Sequence, residues 1–426
     1  MAKTSRISGF YKLSPAERLE RVKAFAGLTD DEVRLVSSTG ALSLDQVDRM
    51  IENVVGGMPV PLGIAVNFLI NGKDYLIPMA IEEPSVVAAA SFAAKMARAR
   101  GGFTASTTDP IMIGQIQVVG VEDPHHARMA VLHARDEVLK EANAQDPLLV
   151  SVGGGAKDLQ VKVIETVRGP MVIVELLVDC RDAMGGNAVN TMAEAVAPLV
   201  ERITGGRVYL RIISNLASKR LARAKVVIAQ EEVGGEAVVD GIVEAYAFAA
   251  ADPYRCATHN KGVMNGVSAV VLATGNDTRA VEAGAHAYAA LSGRYTSLTV
   301  WEKTREGDLA GTIELPVAVG LVGGATRSHP VARVNVKILG VKTATELGEV
   351  LACVGLAQNL AALRALAAEG IQRGHMALHA RNVAVEAGAT GPLVDAVAQR
   401  MVEERRIRLD RAQQLVHELS ADTGST

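Results

Sequence analysis

Aromatic residues are scarce in this 426-residue sequence: six Phe, seven Tyr and a single Trp, 3% in all. A platform that stacks the bases of single-stranded nucleic acid needs more of them, and that class is excluded. Excess positive charge is also missing, with 44 Lys and Arg against 47 Asp and Glu and a net charge of −3. A general binder of phosphate backbones needs clustered cationic surface, which this balance does not provide. The three cysteines, Cys180, Cys256 and Cys353, are too few and too widely spaced for a disulfide framework or a zinc site. The opening stretch, MAKTSRISGFYKLSPAERLERVKAF, mixes both charge signs without an apolar core, so no signal peptide is expected. The longest uncharged run, between Glu52 and Lys73, is broken by Pro59, Pro61 and glycines. A membrane-spanning helix would not carry such breaks at its centre. No G-x-G-x-x-G occurs, so a Rossmann reading has no support. A reduced, cytoplasmic protein without membrane or nucleic-acid partners is the expectation.

What is present is apolar material for a large core, 49% hydrophobic against 21% charged residues. At about 150 residues per domain, two or three domains are expected. Ser14-Pro15-Ala16-Glu17 reads as a capping box that starts a helix running to about Gly27. After Glu83-Pro84, SVVAAASFAAKMARAR is apolar on nearly every side and stops at Gly101-Gly102, which predicts a central core helix. From 110 to 214 the pattern reads strand, helix, two strands joined at Arg168-Gly169, helix, strand. That β-α-β-β-α-β order is a ferredoxin-like split unit. Ala-rich helical sequence on both sides makes it an insertion. The fold class is α+β: a large mixed domain with a central buried helix (1–109 and 215–375), the inserted unit (110–214) and a small helical C-terminal piece (376–426). A hairpin is expected around 305–308.

Four stretches could carry chemistry. DAMGGN, Asp182 to Asn187 through Ala183, Met184, Gly185 and Gly186, opens a helix, and free N–H groups at such a start form an anion site for a pyrophosphate. DPYRCATHNKGVMNG (252–266) packs Arg255, His259, Asn260, Lys261 and Asn265 between apolar segments, while Asp277 lies between an expected strand and a helix it is suited to cap. His375 and His379 are four apart on one helical face, but Met376 stands where a metalloprotease would need its glutamate, so no metal is expected. Glu83, next to a helix start in an apolar setting, is suited to hold a proton or a charge. From the residues alone, an acyl transferase that binds coenzyme A, a metal hydrolase and a non-enzymatic scaffold stay open beside a reductase.

Taken together and in order, ENVVGGMPVPLGIAVNF, EEPSVVAAAS, DAMGGN, DPYRCATHNKGVMNG, ATGND and EGIQRGHMALHARN resemble the 3-hydroxy-3-methylglutaryl-coenzyme A (HMG-CoA) reductases, in their class II bacterial form without a membrane anchor. The resemblance covers almost the whole chain. It implies a four-electron reduction of the HMG-CoA thioester to mevalonate and coenzyme A, or the reverse oxidation. Lys261 would stabilise the oxyanion, Glu83 would supply the proton, Asp277 would link the two, and His375 would protonate the departing thiolate. Ser85, Arg255, Asn265 and Gln358 correspond to substrate-binding positions, and the DAMGGN turn to the dinucleotide site. Asp146 matches an aspartate near the adenosine ribose in members that prefer NADH, so NADH rather than NADPH is the implied cofactor. The implied assembly is a homodimer, or a higher oligomer of dimers, with a C-terminal flap over the site.

Overall fold

The structure, a computed structural model, describes residues 4–38, 40, 42–368 and 371–422; for residues 371–378 and 421–422 it describes the backbone alone. The capping box is formed: Ser14 N donates to Glu17 Oε2 at 2.8 Å, and Glu17 N donates back to Ser14 Oγ. The uncharged stretch ahead of Lys73 runs into strand β1 (Leu62–Ile70), which pairs antiparallel with β2 (Lys73–Ala80). Asn71 and Gly72 both take positive φ at the two-residue turn between them, as a tight hairpin of right-handed twist requires. Strands β3 (Thr104–Thr107), β8 (Leu221–Ile228), β9 (Thr299–Lys303) and β10 (Leu309–Pro316) form a second sheet in the order β3-β8-β10-β9. The β9–β10 hairpin turns at the expected place. Strand β8 lies where Ala-rich helical sequence was expected to resume. Its residues alternate buried and exposed, and pairing with β3 and β10 outweighs any helical preference of LARAK.

The helix Val86–Ala97 buries Val86, Ala90, Ala93, Ala94, Met96 and Ala97 on one side but leaves Phe92 and Lys95 exposed. The central position belongs to Ala344–Ala368. That helix packs on Pro253–Ala273, Val86–Ala97 and β8, and Val350, Leu351, Val354, Leu356, Leu360 and Leu363 are all inaccessible. Each such side chain contributes about 2 kcal/mol on burial. This helix alone, among the described residues, is long and apolar enough to cross a membrane, and 67% of its apolar window is buried inside the protein.

Residues 111–213 fold around a separate apolar cluster. Strands β4 (Ile111–Val119), β5 (Gly155–Ile164), β6 (Met171–Asp179) and β7 (Arg207–Ile213) run antiparallel in the order β5-β6-β4-β7. The helix Gly186–Thr204 lies on β4, where Gly114 leaves no room for a side chain against Val189. The single helix expected over 122–144 breaks at Ala134 into Pro124–His133 and Arg135–Asn143. The last helices, Ile371–Glu386, Pro392–Glu403 and Leu409–Asp422, share a cluster of their own that includes Val383, Val397, Met401 and Leu415.

Candidate active site

Lys261 stands on the helix Pro253–Ala273, whose start is capped by Asp252 accepting from Arg255 N at 2.8 Å. This helix runs through Val270–Ala273, the residues expected to form a strand ahead of Asp277. Tertiary packing overrides their β-branched preference. Gly266 and Gly355 let this helix approach Ala344–Ala368 so closely that a methyl on Gly266 would lie 3.0 Å from Gln358 Cβ. Lys261 Nζ donates to Glu83 Oε2 at 2.7 Å, and Asn265 Nδ2 approaches the same oxygen at 3.4 Å. Glu83 is placed by the bend between β2 and the helix that Ser85 begins, with Ser85 at φ 74. The pair is open to solvent, with side-chain exposures of 59% for Lys261 and 35% for Glu83. An ion pair so exposed contributes at most about 1 kcal/mol to stability, so its use lies elsewhere.

The opposite face of the helix explains the rest of the polar run. His259 Nε2 meets Thr299 Oγ1 and Ser297 Oγ, each at 2.8 Å, and Asn260 Oδ1 accepts from Leu298 N at 3.0 Å. Asn359 joins this network by accepting from Trp301 Nε1 at 2.7 Å. Burial, with the nearby Arg255 charge, pulls the His259 imidazole down to about 4, which keeps it neutral. These side chains fasten the helix so that Lys261 and Asn265 face outward.

Among the described residues, two expected substrate contacts carry buried polar atoms without a partner, Ser85 Oγ and Gln358 Oε1, as does Asn335 Oδ1. Such an atom costs about 1–3 kcal/mol, and a native fold retains one when something else is to fill it. Between Glu82, Asn265, Leu272 and Arg279 runs a groove of about 560 Å³. Arg255 is half-buried. His375 falls in the helix Ile371–Glu386, and its side chain lies outside the described residues.

Asp277 caps the next helix, Thr278–Ala289. Its Oδ1 accepts from Arg279 N and Ala280 N, and its carboxylate pairs with the Arg279 side chain at 3.2 Å. Burial works to raise its pKa, but these bonds and the Arg279 charge outweigh it and lower the value. The strand expected before it is absent, while the expected cap is present. It makes no bond to Lys261 or Glu83 of its own chain, and simple geometry says why. From Lys261 to the end of its helix at Ala273 is twelve residues, or about 18 Å of rise, and Asp277 lies beyond that end.

The DAMGGN turn enters the helix Gly186–Thr204 through Gly185 at φ 105, with no side-chain cap and no acidic residue in the first turn. A side chain on Gly185 would run into Cys180 Sγ, while one on Gly186 would only touch Met184 Sδ at 3.6 Å. The free N–H groups fit a phosphate. Asp182 points elsewhere. Its Oδ1 accepts from Ala344 N at 2.7 Å and its carbonyl from Leu321 N at 2.8 Å, which ties the turn to the start of the central helix. Asp146 caps the short helix Pro147–Ser151 through one oxygen, Oδ1, which accepts from Leu149 N at 2.9 Å. Sequence reasoning missed Arg220, buried beneath the turn, because nothing in its pattern, LASKRLARAK, separates it from surface cations.

All three cysteines are buried and burial pushes each thiol up, so no activated thiol stands ready for acyl transfer. A lysine held by a carboxylate beside a groove, with a phosphate-ready helix start on the inserted sheet, is the equipment of a carbonyl reductase. The chain matches hydroxymethylglutaryl-coenzyme A reductase over residues 14–380, and it belongs to that family. It is 63% identical to the 3-hydroxy-3-methylglutaryl-coenzyme A reductase of Archaeoglobus fulgidus, over 98% of this chain and 95% of that one. A probable enzyme of the same name from Borreliella burgdorferi is 34% identical over 88% of this chain and 85% of its own. The reductase structure from Streptococcus pneumoniae superposes with a TM-score of 0.82 at 39% identity, covering 97% of this chain and 99% of that one. A class II structure from the same organism, bound to NADPH in open conformations, superposes with a TM-score of 0.81 at 39% identity, over 96% of this chain and all of the other.

The orphaned amide makes a prediction with two signs. Gln358→Met keeps the volume and removes the unpaired oxygen, so the urea midpoint should rise by the equivalent of about 1 kcal/mol. The KM for the acyl substrate should rise about tenfold, as expected for one lost hydrogen bond. A destabilised protein with an unchanged KM would mean that Gln358 serves packing alone.

Proposed function

We propose that this protein is a cytoplasmic HMG-CoA reductase of the class II kind, which converts the thioester to mevalonate and coenzyme A with two NADH, or runs the same chemistry in reverse. The observation that carries this reading is the outward-facing Lys261–Glu83 pair beside the partnerless Ser85 Oγ and Gln358 Oε1. The cofactor supplies hydride when bound. Everything else falls to the chain. Negative charge builds on the carbonyl oxygen at each reduction, and the Lys261 ammonium stabilises it. Glu83, hydrogen-bonded to that ammonium, takes up a proton from solvent in the reactive complex and delivers it to the same oxygen. Between the two reductions the hemithioacetal releases coenzyme A as a thiolate. With an ordinary thiol pKa of about 8.5, protonation by His375 prevents recapture. Ser85, Arg255, Asn265 and Gln358 hold the acyl group, and the helices after 375 close over it as a flap.

The site is built by two subunits. Tyr254, Ala257, Thr258 and Lys261 form one exposed stripe on the helix, with Tyr254 86% exposed. A stripe of that kind next to a site marks a surface for a partner, here a second copy of the chain. In a homodimer Asp277 of one subunit reaches the Lys261–Glu83 pair of the other, whereas within its own chain it bonds Arg279 and Ala280. The inserted unit, 110–214, travels with Asp277. Gly320 N donates to Asn276 Oδ1 at 2.8 Å and lies against Met184 of the turn, so cofactor and Asp277 arrive together.

The cofactor is NADH, by way of Asp146. Its second carboxylate oxygen would accept from the ribose hydroxyls and would repel a 2′-phosphate. Loss of reduced-nicotinamide absorbance on adding HMG-CoA tests the activity, and kcat/KM for NADH against NADPH tests the preference. We expect NADH to win by at least about tenfold, the effect of one unfavourable charge contact, and Asp146→Ala to narrow the ratio. A wild-type preference for NADPH, or an unchanged ratio in the variant, would remove Asp146 as the selector. No oxidation of either cofactor would remove the reductase reading.

A further inference from the structure

Arg220 is 4% exposed, and every hydrogen bond of its guanidinium goes to a backbone carbonyl. Nη1 donates to Ala183 O at 2.9 Å and to Met184 O at 3.3 Å, inside the DAMGGN turn. Nη2 donates to Val319 O at 2.5 Å and reaches Arg181 O at 3.5 Å. Val319 precedes Gly320, whose N–H bonds Asn276 Oδ1 at 2.8 Å, one residue from Asp277. Arg220 also accepts from Val317 N at 3.0 Å through its own carbonyl, which fixes both ends of the 317–320 segment. The contact beyond is equally tight, since a methyl on Gly320 would sit 2.5 Å from Met184 N. A guanidinium is buried at a large desolvation cost, and its planar fork serves several carbonyls at fixed angles, which an ammonium cannot do.

We propose that Arg220 is a positioning residue for hydride transfer: it locks the cofactor turn to the loop carrying Asp277, so that one rigid piece presents both to the substrate. The proposal rests on the reading of DAMGGN as the cofactor site. Arg220 touches neither substrate nor cofactor; it acts by holding Ala183, Met184 and Val319 in one frame. A sub-ångström loosening of that frame is enough to slow a transfer that depends on donor–acceptor distance.

The test uses the full-length enzyme and three variants. Arg220→Lys should raise the KM for NADH at least about tenfold, leave the dissociation constant of HMG-CoA measured without cofactor within about twofold, and enlarge the isotope effect with 4-deuterated NADH as hydride transfer becomes limiting. Gly320→Ala keeps the guanidinium and pushes the backbone of the turn, Asp182 to Met184, away from the 317–320 segment. It should show the same split, and it carries the test if Arg220→Lys does not fold. Asn187→Ala, in the turn itself, should raise the KM for NADH directly. If both frame variants leave that KM within about twofold while Asn187→Ala moves it, Arg220 is overturned and the cofactor site stands. If cofactor and acyl substrate weaken equally, Arg220 is an ordinary fold residue and the proposal fails. If Asn187→Ala also has no effect, the cofactor lies elsewhere and the proposal falls with that reading.

Discussion

Lys261→Ala is expected to lower kcat for HMG-CoA reduction by at least about 10²-fold while the protein stays folded, because removing one oxyanion-stabilising group costs that much or more. Its side chain is 59% exposed, so folding owes it little. The loss should fall on kcat more than on KM, since the charge it neutralises exists only as the carbonyl is reduced. Glu83→Gln should be impaired in the same way, because an amide at that position cannot give a proton to the oxygen that Lys261 holds. Thermal midpoints measured beside the kinetics separate chemistry from folding. A folded Lys261→Ala enzyme with near-normal kcat would take the lysine out of the mechanism.

Asp277→Ala should lose a comparable factor, although no bond joins Asp277 to the pair in its own chain. Two effects are superposed and can be told apart. The first is loss of the helix cap, since Asp277 accepts from two backbone N–H groups of Thr278–Ala289. A lost cap costs about 1 kcal/mol and appears as a lower midpoint. The second, on the proposal of a shared site, is loss of the carboxylate that would serve the partner subunit's lysine–glutamate pair, and it would appear in kcat. Asp277→Asn retains an oxygen for the cap, so it should restore most of the midpoint and little of the turnover. Recovery of both by Asn would reduce Asp277 to a capping residue.

Much of this was legible in the residues themselves. Glu83 could be recognised as an ionisable group in an apolar setting and Asp277 as a cap from residue type and position, whereas Lys261 lay in a polar run and the catalytic roles of all three came only from the family resemblance. The alternation in 111–120 and the short turn at Arg168-Gly169 between two apolar runs made the inserted sheet readable, although Met171–Asp179 is buried on nearly every residue rather than on alternate ones. Helix against strand failed where packing decided the matter. Val270–Ala273 and β8 have compositions that suit either state, and the neighbouring elements Ala344–Ala368, β3 and β10 settle them. The Asn71-Gly72 hairpin carried a readable signal that the reading of this stretch as an uncharged run passed over. The inward turn of the Asp182 carboxylate and the burial of Arg220 had no local signature. Both depend on contacts more than 30 residues away in the chain. The length of the Lys261 helix, which places Asp277 out of reach, became meaningful only once 253–273 was seen as one helix.

The central claim is that Asp277 serves the Lys261–Glu83 pair of the other subunit, and mixed dimers test it most directly. Lys261→Ala and Asp277→Ala proteins, each inactive alone, are unfolded and refolded together in equal amounts. Half of the dimers then hold one subunit of each kind, and each of those has one complete site, so about a quarter of wild-type activity should return. Lys261→Ala mixed with Glu83→Gln is the control and should stay inactive, because both lesions lie on the same side of the boundary. Activity from the first mixture and none from the second is the predicted result. No recovery in the first mixture, with hybrid dimers demonstrably formed, would contradict the shared site.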